Sequence, residues 1–292
     1  MKLNFLSCPV CNSKNYKKRF SDTLSPDYPS IGYGFSSNHC KTYQIVQCLD
    51  CSHGYCNPVP KDIYKHYIDK DDVHYLSYSK ERHLTAKKIL TLLHKLKPTG
   101  SLLDIGCSTG DFLQESEKYY SSEGLEVSTW AFNIARKKKL TIHYNHIGDF
   151  SHQNKYDIIT MFGVIEHLEE LQETIHKIKA FLNEDGLAVI WTGDFNSISS
   201  KLFKEKWWYI MGQHIQYFTK SSIKKLFNMH DFDLIKYKFY PYALSFRQIS
   251  NSLMRYPFLK PLSYLLTFIP GHITLRVPGE MLLVFQRKAN KI

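Results

Sequence analysis

Between Leu102 and Tyr240 short apolar runs alternate with stretches of helical period, and no other feature restricts the possible folds as much. The strand-like runs are Leu102–Ile105, Gly124–Val127, Thr141–Tyr144, Tyr156–Met161 and Leu187–Thr192. Helical stretches lie before and between them. Ala86, Ile89, Leu90 and Leu93 recur at i, i+3, i+4 and i+7, with Lys87 and Lys88 facing out and Pro98 and Gly100 as the stop. Leu171, Ile175, Ile178 and Leu182 repeat the pattern ahead of Asp185-Gly186, as do Ile223, Leu226, Phe227 and His230. Strands separated by helices imply βαβ crossovers and a mostly parallel sheet, hence an α/β fold. Asp233–Tyr240 and Glu280–Arg287 read as two further strands, which makes seven in all.

The chain is 43% hydrophobic and 22% charged, which excludes a disordered segment. Its formal net charge of +11 attracts anions in general without choosing among nucleic acid, lipid phosphate and phosphorylated metabolites. The most apolar stretch, Phe258–Val277, is interrupted by Pro261, Pro270, Gly271 and His272, so no spanning helix is expected. Met1–Val10 reaches a Cys-Pro pair before a signal-peptide core could form. The expected location is cytoplasmic, with reduced thiols.

Six of the seven cysteines fall in the first sixty residues. Cys8-Pro-Val-Cys11 and Cys48-Leu-Asp-Cys51 form two C-x2-C pairs. Each such turn can place two sulfurs on one tetrahedral Zn²⁺, and two turns close its shell. The metal would then replace a core that so short a module cannot build. We expect a structural Zn²⁺ on Cys8, Cys11, Cys48 and Cys51, with Cys40, Cys56, His39 and His53 as lower-ranked candidates. The expected organisation is a zinc-ribbon-like module over 1–60, a linker over 61–79 and one catalytic domain over 80–292.

Leu102-Leu-Asp-Ile-Gly-Cys-Ser-Thr-Gly-Asp-Phe-Leu113 reads as a strand, a glycine turn and the start of a helix. Gly106 and Gly110 allow a sharp turn and close backbone approach to a ligand. A dinucleotide fingerprint would need glycines where Ser108 and Asp111 stand, and the Gly-Lys-Ser/Thr of a phosphate loop is absent. Asp111 at the helix start would also repel a pyrophosphate.

This segment resembles the first motif of the class I S-adenosylmethionine-dependent methyltransferases, matched by Asp104, Gly106, Thr109 and Gly110, with Ser108 at the family's usual middle glycine. Glu126 closes the following strand, about 20 residues on, where an acidic residue can take both ribose hydroxyls. Gly148-Asp149-Phe150 is similar to the adenine-lining segment, Tyr156–Leu168 to the fourth strand and its turn, and Asp185-Gly186 to the start of the fifth strand. The resemblance implies a Rossmann-like, mostly parallel seven-stranded sheet and S-adenosylmethionine as cofactor. It also implies roles for Asp104 at the methionine ammonium, Glu126 at the ribose, and Asp149 and Phe150 at the adenine. Some members hold a metal on carboxylates and histidines after the fourth strand. Glu166 and His167 match two of those ligands, but Gly163 replaces a third, so no catalytic Mg²⁺ is expected and His167 should pack near the cofactor.

With its N-terminal cysteine module, the chain is similar to bacterial methyltransferases of sugar, cell-surface glycan and secondary-metabolite pathways. The implied acceptor is a small molecule or glycan. An rRNA or tRNA methyltransferase with a zinc knuckle ranks second, because the positive charge is diffuse and only Arg136–Lys139 forms a tight run. A non-catalytic zinc-bearing interaction protein ranks third, since the cofactor motif is intact. His214, set among Trp207, Trp208, Tyr209, Tyr217 and Phe218, is the candidate base for a hydroxyl acceptor, and Tyr217 a candidate orienting group. A histidine tied to a backbone carbonyl is the competing role for His214. Residues 241–278 form an apolar insertion between the last two strands, with Arg247, Arg255 and Lys260 among Leu244, Phe246, Leu253, Phe258, Leu265 and Phe268. A lid or dimer surface is one expectation, and a peripheral contact with an anionic membrane the other.

Overall fold

The computed structural model describes residues 3–24, 40–60, 68, 71–151, 153–254 and 257–289. His39, Arg255 and most of 61–70 in the expected linker lie outside the described residues.

Strand β1 (Leu3–Asn4) pairs with β5 (Val59–Pro60). Between them run β2 (Tyr16–Phe20), β3 (Ile45–Cys48) and β4 (Gly54–Cys56). Two helices follow, α1 (Val73–Leu76) and α2 (Ser79–Leu96). The α/β unit then comprises β6 (Ser101–Ile105), α3 (Asp111–Ser116), β7 (Ser121–Glu126), α4 (Thr129–Lys137), β8 (Ile142–Tyr144) and β9 (Tyr156–Phe162). It continues through α5 (Leu171–Phe181), β10 (Leu182–Gly193), α6 (Ile198–Phe203), β11 (Gln216–Tyr217), α7 (Lys220–Asn228) and β12 (Phe232–Ser245). The chain closes with α8 (Phe246–Leu253), α9 (Lys260–Thr267) and β13 (His272–Arg287).

The central sheet has the order β12-β13-β10-β9-β6-β7-β8. Neighbours from β10 to β8 pair in parallel, and β13 runs antiparallel between β10 and β12. The inner strands are buried almost throughout, because helices cover both faces. The alternation seen in the sequence therefore becomes a Rossmann-like, mostly parallel sheet. Several expected strands prove longer, β10, β12 and β13 most of all. β10 begins at Leu182, with a register shift before Leu187 that accommodates Asp185 at φ 59° and Gly186. β12 and β13 continue past the sheet edge as a two-stranded ladder, from Pro241↔Arg276 to Ser245↔His272. That ladder, helices α8 and α9 and the 3-10 turn Pro257–Leu259 make up most of the described part of 241–278.

The N-terminal strands form a second sheet of order β11-β4-β3-β2. Its edge strand β11 comes from far along the chain, and pairs Gln216 with Tyr55 and Tyr217 with Gly54. Cys8, Val10, Val46 and Tyr55 share one buried cluster with Ile175, Phe218 and Phe227. The amide of Gln172 on α5 donates to the carbonyls of Pro9 and Val10, at 2.9 and 3.1 Å. The cysteine turns thus sit on the helical face beside the central sheet.

Candidate active site and cysteine cluster

The carboxyl ends of the parallel strands open into a cavity of about 330 Å³. The turn after β6, the end of β7, the turn after β9 and the 208–214 loop line it. Ligands of open α/β sheets bind at this edge, where strand ends and helix starts leave backbone groups exposed.

Gly106 lines the cavity at φ 71°, with Val164 so close that a Cβ would meet its Cγ2 at 2.5 Å. Ser108 also lines it, at φ 49°, a region that favours glycine. Its amide donates to Oε2 of Glu126 at 2.7 Å, while the amides of Val127 and Ser128 donate to Oε1 at 2.9 and 2.7 Å. Glu126 is buried and faces the cavity, so the glycine turn and the end of β7 are tied by one carboxylate.

Other expected cofactor residues lie elsewhere. Gly110 caps α3 at φ 79° and does not line the cavity, and a Cβ there would lie 2.4 Å from Cδ1 of Leu140. Thr109 is buried behind the turn, 3.5 Å from Oδ2 of Asp111. Asp104 is also buried and accepts from Thr160 Oγ1 at 2.6 Å. Burial pushes its carboxyl up to about 7, countered by Thr160 and reinforced by Glu126. The amides of Asp149 and Phe150 both donate to the carbonyl of His146, a turn that leaves Asp149 exposed and rotates Phe150 into the core against Phe181. From that segment Asn145, His146 and Ile147 reach the cavity instead.

His214 lines the cavity and Tyr217 does not. Tyr217 is 1% exposed, and its hydroxyl lies 3.4 Å from both Thr42 Oγ1 and the carbonyl of Met211. Pairing of β11 with β4 turns this phenol toward the N-terminal strands, away from the cavity. Trp207 and Phe218 are likewise core residues, while Trp208 and Tyr209 form part of the wall. Nδ1 of His214 lies 2.7 Å from the carbonyl of Tyr209, so the carbonyl tie and the cavity position hold together.

Glu166 sits in the 3-10 turn Ile165–His167. It accepts a short hydrogen bond from the Tyr209 hydroxyl and one of 3.2 Å from Thr192 Oγ1. Burial raises its carboxyl to about 7, against the pull of those donors. Burial also lowers the imidazoles of His167, to about 4, and of His214, which stands beside it. Gly163, at φ 69°, leaves room for the Trp191 ring, which a Cβ would meet at 2.8 Å.

Sequence reasoning missed the far wall, formed by Trp191, Tyr242 and Glu280, and also Tyr75 over the glycine turn. The Arg82 guanidinium stacks on Tyr75 with 3.6 Å from Cζ to ring centroid, and its Nη2 is buried without a partner. Its Nε donates to Asp111 at 2.7 Å.

The four cysteines converge in a second cluster. Cys8 and Cys51 sulfurs are 3.5 Å apart, Cys11 and Cys48 sulfurs 3.6 Å, and all four lie within 4.8 Å of one another. Tetrahedral Zn–S bonds of about 2.3 Å require sulfur separations of roughly 3.8 Å. The two turns repeat one geometry. Asn12 and Ser52 each follow a second cysteine at φ 60° and donate to the carbonyl of the first, at 2.8 and 3.1 Å. Cys40, Cys56 and His53 lie outside the cluster, and His53 Nε2 is instead 2.9 Å from Gln216 Oε1.

A family model described as a methyltransferase domain matches residues 77–237. The ubiquinone biosynthesis O-methyltransferase of Actinobacillus pleuropneumoniae is 31% identical over 99 residues, 30% of this chain. The match spans 42% of that relative's length. Among solved structures, a SAM-dependent methyltransferase from Archaeoglobus fulgidus superposes with a TM-score of 0.53 at 17% identity, over 74% of this chain and all of that one. The magnesium protoporphyrin IX methyltransferase of Synechocystis, with bound S-adenosylhomocysteine, gives 0.50 at 12% identity, over 77% and 93% of the two chains. The fold is that of the class I S-adenosylmethionine-dependent methyltransferases, and with more than half of its length matched the chain belongs to the methyltransferase-domain family.

Proposed function

We propose that the protein transfers the methyl group of S-adenosylmethionine to a small-molecule acceptor of the sugar or glycan class. The observation that carries this is Glu126, a buried carboxylate fixed by three backbone amides at the mouth of the glycine turn and open to the cavity. Such a carboxylate accepts from two ribose hydroxyls without reorganising. In this reading Gly106 and Ser108 flank the methionine moiety, and His146 and Ile147 border the adenine. When bound, the cofactor supplies an electrophilic methyl on a sulfonium. The chain supplies orientation and a route for the acceptor's proton.

His214 is the proposed base. A carbonyl only accepts, so the bond to Tyr209 puts the hydrogen on Nδ1 and leaves the lone pair on Nε2. The ubiquinone relative is named as an O-methyltransferase, which suits a hydroxyl acceptor and a base. The RNA reading gains nothing from the cavity, since no Lys or Arg lines it among the described residues. Isothermal titration with S-adenosylmethionine tests the cofactor. Labelled methyl transfer to sugars, nucleotide sugars and RNA tests the acceptor. A purified, folded protein that binds no cofactor would end the proposal.

Zinc on Cys8, Cys11, Cys48 and Cys51 would be structural, since four thiolates leave no open position. The turn that carries Cys8 and Cys11 would then be held by the metal against α5. A peripheral membrane contact is proposed for the 241–278 region. Phe258, Leu265 and Phe268 are 76, 68 and 85% exposed there. Between Asp233 and Glu280 the sequence has no acidic residue, but it has Lys236, Lys238, Arg247, Arg255, Lys260 and Arg276. Exposed apolar side chains in a segment with cations and no acidic residue match an anionic lipid surface.

A further inference from the structure

Glu280 begins the part of β13 that pairs with β10, and it is 4% exposed at the cavity wall. Its Oε1 accepts from Trp208 Nε1 at 2.9 Å. Its Oε2 accepts from Trp191 Nε1 at 2.8 Å and from the Tyr242 hydroxyl at 2.9 Å. An indole N–H only donates, so both oxygens act as acceptors, while burial raises the carboxyl above its ordinary range against the pull of those donors. Among the described residues no Lys or Arg pairs with Glu280. A buried carboxylate without a cation is costly, and three neutral donors offset only part of that cost.

The surroundings point the same way. Glu126 and Glu166 also line the cavity, and among the described residues no Lys or Arg does. In a chain with a net charge of +11 the cavity therefore has the opposite sign to the whole. Glu126 has a task at the ribose and Glu166 lies beside His214. Glu280 has none in the transfer proposed above. Gly163 makes room for the Trp191 ring, so the turn after β9 helps to seat one of its donors.

We propose that this end of the cavity receives a protonated amine carried by the acceptor, with Glu280 as its counter-ion. Trp191, Trp208 and Tyr242 fix the carboxylate and supply aromatic walls, which add cation–π attraction to an ammonium. The inference rests on reading the cavity as the acceptor site. It narrows the acceptor to amine-bearing small molecules, such as amino sugars. A phosphate placed here would meet carboxylates without a cation, so any phosphate of the acceptor stays outside.

The test uses the full chain saturated with S-adenosylhomocysteine, with cyclohexylamine and cyclohexanol as ring probes of matched size. Binding is read by calorimetry and by tryptophan fluorescence. The amine should bind about tenfold or more tighter than the alcohol at neutral pH. Glu280→Gln should abolish that preference and leave S-adenosylhomocysteine affinity within about twofold. Equal binding of the two probes, or no binding of either, overturns the inference. So does a Glu280→Gln protein that keeps the preference. If Glu280→Gln fails to fold or loses S-adenosylhomocysteine, Trp208→Phe replaces it and should weaken the amine more than the alcohol; equal weakening counts against the proposal. A wild-type protein that does not bind S-adenosylhomocysteine would instead sink the methyltransferase reading itself.

Discussion

Nε2 of His214 faces Oε1 of Glu166 at 4.0 Å, while its Nδ1 is tied to the carbonyl of Tyr209. The gap is too long for a hydrogen bond, yet short enough for the carboxylate to stabilise an imidazolium. A proton taken by His214 would therefore be held by Glu166, whose carboxyl titrates at about 7. His214 itself stays neutral well below the usual imidazole range, because burial and His167 oppose its charge.

These positions predict a rate that rises with pH through about 7 as Glu166 ionises. With the acceptor found by the screen above, Glu166→Gln should remove that limb. His214→Gln should lower the plateau by about 10²-fold while cofactor binding persists. Near-normal turnover in His214→Gln would return the residue to a purely structural role.

Glu126→Ala should weaken S-adenosylmethionine binding by on the order of 2–4 kcal/mol, through two lost charge-assisted hydrogen bonds to the ribose. The amides of Ser108, Val127 and Ser128 would lose their acceptor as well. Calorimetry on the folded variant decides, and an unchanged affinity removes Glu126 from the ribose.

Asp104 makes a pH-dependent contribution to stability. Its folded carboxyl titrates at about 7, above the ordinary aspartate range, so its contribution is complete below that range and is lost as pH rises through 7. From pH 6 to pH 8 the cofactor-free wild type should lose about 1.4 kcal/mol at this site. Asp104→Asn has no such loss. Its stability relative to wild type should improve by that amount between the two pH values in urea titrations. A pH-independent difference would show that Asp104 is not perturbed.

Metal analysis should find about one Zn per chain. Cys48→Ser should reduce it and lower the thermal midpoint, because Cys48 and Cys11 sulfurs face each other across the cluster. Full metal content in that variant would disprove the four-cysteine assignment.

Vesicles of phosphatidylglycerol and phosphatidylcholine should sediment the protein, whereas pure phosphatidylcholine should not. Replacing exposed Phe258, Leu265 and Phe268 by Ser should abolish sedimentation. Self-association that these substitutions dissolve, without vesicle binding, would make the surface a dimer contact.

The sequence by itself determined the central sheet, the glycine turn and the two cysteine turns. Each is a local pattern. Leu102, Leu103 and Ile105 are apolar because helices cover both faces of their strand, and Cys8 and Cys11 share a turn because only two residues separate them. Tertiary structure alone decided which of these residues face the cavity. Tyr217 and His214 are three positions apart in one aromatic stretch, yet pairing of β11 with β4 sends one into the N-terminal module and leaves the other on the cavity wall. Glu280 reads in sequence as a carboxylate at a strand start. Its partners Trp191, Trp208 and Tyr242 are brought to it from β10, a loop and β12. No periodicity records such contacts, because their energy depends on where the chain crosses itself rather than on its neighbours in sequence.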